Sequence, residues 1–407
     1  MEPSLSLASP NEPAPHTHRI AEASGQSFSP REAVGLIAVG CNSLLVLGVL
    51  PILLGALADA GRLSNAEIGL SAMVELLAMG ASTGLMGLIK RPRGLKLIGT
   101  LASVAIALAD LASMGGAHGP LVALRGLAGA FEGVLLWITV GMIARTATPE
   151  RWAGVFFTAQ TAAQLVLALI LANLVLPRFG ANGAFLALAV SAVLGVAAAM
   201  LAPPGFDPLV ARPEEAGAPP LRGMVALLAS LIFVAGGGAI GVYLEPLAHE
   251  AGLGAGVAGA ALWTSLIGQV IGGALATVLA GRIRYFWVFV IGSALSLGVW
   301  ALLGTNLPAW AFIADNAASG VIAMTLAPFV APMTIEADPS RRAAMQTGAA
   351  QLLGGALGPL LSSFVVTGAE VRQVLWLGAA LLLAGLTIIA GLHLTHRPQG
   401  SNDGLSG

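Results

Sequence analysis

The chain has 407 residues, of which 57% are hydrophobic and 10% charged, with a formal net charge of −1. A soluble protein covers its surface with roughly a quarter charged residues, so this composition excludes a water-soluble enzyme and points to a chain that faces lipid. No basic patch is large enough to suggest a nucleic-acid partner, and none is expected, while the lone Cys41 excludes a disulfide framework or a cysteine metal site.

Residues 1–32 are polar and rich in Pro and Ser, which reads as a disordered cytoplasmic tail. A helix that crosses a bilayer needs about 20 apolar residues. Twelve such runs follow, at 33–58, 67–89, 96–115, 119–144, 151–176, 181–203, 222–248, 253–281, 285–304, 308–334, 340–366 and 370–393. They do not alternate apolar with polar residues as barrel strands do, so the fold class is an all-α membrane protein with twelve transmembrane helices. The division is six and six. A first bundle, 33–203, precedes a Pro-rich charged linker, 204–221, and a second bundle, 222–393, precedes a short tail, 394–407.

Basic residues fall in alternate gaps. Lys90, Arg91, Arg93 and Lys96, then Arg145 and Arg151, Arg212 and Arg222, Arg282 and Arg284, and Arg341 and Arg342 occupy one set, whereas the other holds only Arg62, Arg178 and Arg372. Short Lys/Arg-rich loops stay inside, so both termini and the linker are expected in the cytoplasm of a cell whose inner membrane the chain spans. The halves also match at a shift of 190 residues. Thr148-Pro149-Glu150-Arg151 falls on Asp338-Pro339-Ser340-Arg341, each expected to cap and open a helix.

Charged side chains inside a bilayer are costly and mark function. They are Glu75 in the second segment, Asp110 in the third, Arg125 and Glu132 in the fourth, Glu245 in the seventh and Asp315 in the tenth. Arg125 is always ionised and presents a planar fork of donors suited to a carboxylate, and Asp315 stands at its repeat position. Glu132 lies two turns from Arg125 on the same face, too far along the axis for a direct contact by that spacing. A mid-membrane carboxyl that exchanges a proton is its expected role, with Asp315, Asp110 and Glu75 as further proton sites. Gln160, Gln164, Gln269 and Gln351 offer neutral hydrogen bonds, and Trp137 and Trp263 offer aromatic walls, to a solute.

Twelve spans, a parallel 6+6 repeat and a cytoplasmic middle linker resemble the major facilitator superfamily over residues 33–393. The loop Gly87-Leu88-Ile89-Lys90-Arg91-Pro92-Arg93-Gly94-Leu95-Lys96 is similar to the family's Gly-x-x-x-Asp-Arg-x-Gly-Arg-Lys, with Arg91 where the family has aspartate. Arg125-Gly126-Leu127-Ala128-Gly129 matches the family's membrane-embedded arginine with small residues after it. The fifth segment lacks the Gly-Pro signature of drug/proton antiporters, and Gly354-Gly355-Ala356-Leu357-Gly358-Pro359 stands in the eleventh instead.

The resemblance implies a secondary transporter, not an enzyme, acting as a monomer by alternating access without a cofactor. Its fourth and tenth helices would line the cavity on opposite sides and bring Arg125 and Asp315 face to face. Arg91, Arg93 and Gly94 in the loop, with Gly237 of the Gly236-Gly237-Gly238 run, are the gating candidates. An organic anion moved with protons is the expected cargo. Proton-driven efflux of a drug or metabolite, and a membrane sensor or scaffold that transports nothing, are the rival readings.

Overall fold

The computed structural model describes residues 26–89, 91–208, 218–366 and 371–395. Most of the two expected tails, linker residues 209–217 and Lys90 lie outside the described residues, as does the side chain of Glu245.

Fifteen α-helices run in chain order among the described residues. They are α1 Pro30–Asp59, α2 Asn65–Met86, α3 Leu95–Ser113, α4 His118–Ile143, α5 Pro149–Ile170, α6 Leu176–Ala199, α7 Leu221–Gly241 and α8 Leu244–Glu250. Then come α9 Ala255–Leu279, α10 Tyr285–Leu303, α11 Ala309–Leu326, α12 Val330–Ala337, α13 Arg342–Met345, α14 Thr347–Val365 and α15 Gln373–Leu394. Among the described residues, eleven helical stretches are long and apolar enough to cross a membrane. One of them, Pro149–Ala199, is 51 residues long. It joins α5 to α6 through a π-wound turn, Leu171–Val175, and breaks helical geometry at Gly180, whose φ is 57°. Only glycine takes that backbone without strain.

Several expected boundaries shift for local reasons. The first helix starts at Pro30, where Ser29 and Glu32 exchange hydrogen bonds as a cap, and Gln26 N–H donates to Arg145 O at 2.8 Å. Residues 26–32 are therefore ordered, unlike the tail expected there. The run 222–248 is split after Gly241, and the short α8 carries Pro246. The run 308–334 continues to Ala337 through a 3₁₀ turn at Ala327–Phe329, where Pro328 supplies no N–H. The expected caps also differ. Thr148 makes no side-chain cap bond, although Pro149 does open α5. Asp338 accepts from Ser340 N at 3.1 Å and Ala343 N at 2.8 Å, and Arg341 turns the chain with a φ of 61° before α13.

Apolar side chains form two cores. One is drawn mainly from residues 36–206 and the other from 226–392. On α3 the face Leu97, Leu101, Val104 and Leu108 is exposed at 41% or more, while Ala102, Ile106, Ala109 and Asp110 are buried. That stripe at helical spacing is the lipid-facing side of a peripheral helix.

In lipid, helices associate through close packing rather than through exclusion of water. Glycines supply it here. A Cβ at Gly129 would lie 2.4 Å from Glu75 O, and one at Gly133 would lie 2.2 Å from Met79 O, so α2 and α4 pack backbone to backbone. The second half repeats this between α9 and α11, where Gly320 meets Ser265 O and Gly272 meets Val321 O, each at 2.2 Å. Between the halves, α5 packs on α9 through Gly154 against Thr277 and Gly273 against Thr158. Gly133→Ala is expected to destabilise the protein by about 1–3 kcal/mol by overpacking. Gly55→Ala, in α1 where the added carbon meets nothing within 4 Å, should leave stability unchanged or raise it by up to about 1 kcal/mol. Thermal unfolding in detergent compares them, and equal melting of both variants would refute this packing.

Candidate functional site

The end of the molecule that carries Arg145, Arg284 and Arg341 is called the basic end below; the other carries Arg62, Arg178 and Arg372. Between them lies a cavity of about 380 Å³ walled by both halves. Gln160 and Gln164 enter it from α5, Gln269 from α9 and Gln351 from α14. The remaining described lining is almost wholly apolar, with Phe156 and Phe157 its aromatic part, and it includes no ionisable side chain.

The four amides are differently engaged. Gln164 Nε2 donates to Leu44 O at 2.5 Å, and Gln351 Nε2 donates to Ala327 O at 3.4 Å. Gln160 Oε1 is buried with no hydrogen-bond partner. A buried amide oxygen without a partner is costly, which sets Gln160 apart from the other amides of the cavity wall. Trp137 is fully buried in the N-terminal core and Trp263 packs against that core. Neither lines the cavity.

Arg125 does not line it either. Its Nη2 donates to Glu75 Oε1, its Nε to Glu75 Oε2 at 3.2 Å, and its Nη1 to Asp110 Oδ1 at 2.6 Å. Glu132 Oε1 stands 3.7 Å from Nη2, and Glu132 Oε2 has no partner. All four side chains are buried, at 3% exposure or less. The expectation that Arg125 faces Asp315 across the solute path thus differs from the geometry, because three carboxyls within its own half engage the guanidinium. The spacing argument against an Arg125–Glu132 approach also fails. Seven residues rise about 10.5 Å, a gap that the two long side chains close to 3.7 Å by extending toward each other along the helix axis.

The cluster adjoins the cavity. Leu76, next to Glu75, and Leu136 and Val140, one and two turns beyond Glu132 on the same stripe of α4, are cavity walls. Asp315, in the second turn of α11, is buried at 7% exposure, with neither carboxyl oxygen hydrogen-bonded.

At the basic end, hydrogen bonds join the halves. Arg341 Nη1 donates to Ala144 O at 2.8 Å and to Thr146 O at 2.9 Å, carbonyls at the end of α4. Arg145 Nη1 reaches Met345 Sδ at 3.3 Å, and Gln346 Nε2 donates to Gly84 O at 3.0 Å. Burial pushes the Arg145 guanidinium down to about 10, against the pull of Asp207, and lowers Arg341 as well. Arg145 therefore stays charged at neutral pH.

Arg91 and Arg93 are exposed. Gly94, with a φ of 70°, bonds to Pro204 O at 2.7 Å, which ties this loop to the start of the linker rather than to the second half. Gly237 lies in an unbroken stretch of α7. The sequence reading used Arg145 and Arg341 only for topology and the repeat, not as contacts between the halves, and did not single out Gln346. The signal for Arg341 was its place in the repeated four-residue stretch.

At the opposite end each half is bound to itself. Arg62 donates to the carbonyls of Ser113 and Gly116 and to Asn182 Oδ1, and burial lowers its pKa. Arg372 bonds Asn306 Oδ1 at 2.6 Å and lies 3.3 Å from Glu250. No hydrogen bond among the described residues joins the halves there.

No protein-family model matches the sequence, and no curated protein matches it. Solved structures do match. A major facilitator superfamily transporter, FucP, in the outward conformation is 16% identical with a TM-score of 0.62, over 88% of this chain and 98% of that one. The human organic anion transporter MFSD10 is 14% identical with a TM-score of 0.68, over 89% and 100%. The proton:xylose symporter XylE is 14% identical with a TM-score of 0.68, over 89% and 94%. With its apolar helices and these likenesses, the chain is a multi-pass membrane protein that has the fold of the major facilitator superfamily transporters.

Proposed function

We propose that the chain is a major facilitator secondary transporter, not an enzyme, that moves a small uncharged solute through the central cavity and couples its movement to protons. It crosses the membrane twelve times in two six-helix halves, with the break at Gly180 near the start of α6 turning the chain between the fifth and sixth crossings. The basic end is cytoplasmic. The observation that carries this reading is the convergence of four glutamines from both halves in a cavity with no ionisable wall. Amides hydrogen-bond neutral polar groups, and an apolar wall favours solutes with hydrophobic surface. An organic anion would need a cation in the cavity, and the donors of Arg125 are occupied by carboxyls of the protein. The apolar lining therefore favours a drug-like or metabolite cargo over an organic acid.

Protons would be held by the cluster beside the cavity. One guanidinium balances one of three buried carboxylates, and a buried charge without a partner is strongly unfavourable. Glu132 is the member with an unpartnered oxygen and the weakest hold on Arg125, which fits a site that gains and loses a proton as the cavity opens. Arg341, Arg145 and Gln346 form the cytoplasmic gate in this reading.

The test is solute movement in vesicles that hold the purified protein, with and without an imposed pH gradient, across a panel of uncharged solutes and organic acids. Uncharged solutes should move in response to the gradient. Glu132→Gln should exchange solute across the membrane but lose gradient-driven movement, because exchange needs no net proton transfer. Asp315→Asn showing that loss instead would move the proton site to the second half. A cargo list restricted to organic acids would sink the uncharged-solute reading.

A further inference from the structure

The run Gly236-Gly237-Gly238 suggests a hinge, yet α7 is continuous from Leu221 to Gly241. Each glycine has its own surroundings. A Cβ at Gly236 would lie 2.8 Å from Gly378 O, and one at Gly238 would lie 3.3 Å from Gly355 O, so these two let α15 and α14 approach. A Cβ at Gly237 would meet nothing within 4 Å.

That open space is a second cavity, of about 300 Å³, walled by the C-terminal half and by Phe157 of α5. Phe233, Phe289, Trp300 and Leu382 wall its deep side and are themselves at most 9% exposed, whereas Gly237 and Ala323 in the same wall are exposed. Apart from the Gln351 at its mouth, Ser296 is its polar side chain. Phe157, Met324, Ala327 and Gln351 wall both this cavity and the central one. The two spaces are therefore neighbours across one set of side chains, with an amide head at the junction.

Apolar cavities of this kind stay dry and take up apolar ligands. An empty one forfeits the dispersion contacts of its walls, and any larger residue at position 237 would fill it. Glycine is also, after proline, the least favourable residue for a helix. A glycine there keeps the space open at a cost in stability, which calls for an occupant.

Building on the transport reading above, we propose that this side cavity receives the apolar tail of the solute whose uncharged head is held at the glutamines. The substrate class is then a neutral amphipathic molecule, with a hydrogen-bonding head and an aliphatic or aryl tail. Gln351 sits where head and tail join. Phe233, Phe289 and Trp300 enclose the tail.

The experiment measures binding of methyl, butyl, hexyl and octyl β-glucoside to the full chain in lipid nanodiscs, for the unmodified protein and for Gly237→Leu, whose side chain fills the cavity. The ratio of the two affinities cancels partitioning into the lipid. It is expected to grow about fourfold for each added methylene until the cavity is full, the factor that corresponds to about 0.8 kcal/mol per buried CH₂. A second readout does not depend on the Gly237→Leu protein folding. A hexyl glucoside with a terminal bromine should quench a component of tryptophan emission that Trp300→Phe lacks. A ratio independent of tail length, no binding by any member of the series, or a missing Trp300 component would each overturn the proposal. Binding is read without transport. Tail-dependent binding by a protein that moves nothing across vesicles would remove the transport reading and keep the cavity's role, whereas transport with a flat ratio would do the reverse.

Discussion

Arg125→Ala is expected to destabilise the protein by about 3–5 kcal/mol, the usual cost of breaking a buried ion pair and leaving its partner without a counter-charge. The reason is local. Glu75 and Asp110 are buried at 0% and 2% exposure, and Arg125 is the cation that both of them contact. The added term for Glu132 is small, because its nearer oxygen stands at 3.7 Å. Arg125→Lys should recover little, since one ammonium replaces a fork whose separate nitrogens reach two helices. Neutralising the acids with the base, as Arg125→Ala, Glu75→Gln and Asp110→Asn together, should restore more than half of the loss, because residues in one network are not additive. Thermal melting of the purified variants reads the series. An Arg125→Ala protein that melts like the unmodified one would show that the cluster is not what holds α2, α3 and α4 together.

A second large effect is expected at the basic end. Arg341→Ala removes two charge-assisted bonds to carbonyls just past the end of α4. Each bond to a charged group contributes about 1.5–3 kcal/mol, and the loss of even one shifts a two-state equilibrium roughly 10- to 150-fold. The shift should favour the form open at the basic end. Thr347 lines the cavity, so a Thr347→Cys reporter in a Cys41→Ala background can be alkylated from that side. Its rate should rise by up to that factor in Arg341→Ala and by less in Arg341→Lys. An unchanged rate would mean that the contacts close nothing.

The helical architecture was readable because lipid imposes it. Long apolar runs, alternate basic gaps and a proline-rich middle are each forced by the solvent on either side of the chain. The exact breaks were less visible, because prolines within apolar runs interrupt hydrogen bonding without changing hydropathy, as at Pro246 and Pro328. Candidate residues divide along the same line. The cost of burial singled out Arg125, Glu75, Asp110 and Glu132, and these meet in one cluster, but the cost does not say which partner satisfies each charge. The repeat suggested Asp315 for Arg125, whereas the nearer acids of the same half engage it. The glutamines converge on the cavity, a property that no spacing along a single helix contains. Gly237 was singled out for its neighbours in sequence, yet its surroundings depend on α10 and α15.

The self-contained clamps at Arg62 and Arg372 bear on how the molecule can move. Each fastens the far end of one half to itself, and backbone-close contacts at Gly154 and Gly273 join α5 to α9 nearer the other end. Such an object behaves as a pair of stiff levers that share a fulcrum. Over a bilayer core of about 30 Å, a tilt of roughly 10° would part the far tips by about 5 Å, enough to admit a small solute while every helix keeps its hydrogen bonds. Flexibility inside either half would then work against the motion, by absorbing the tilt before it reached the tips.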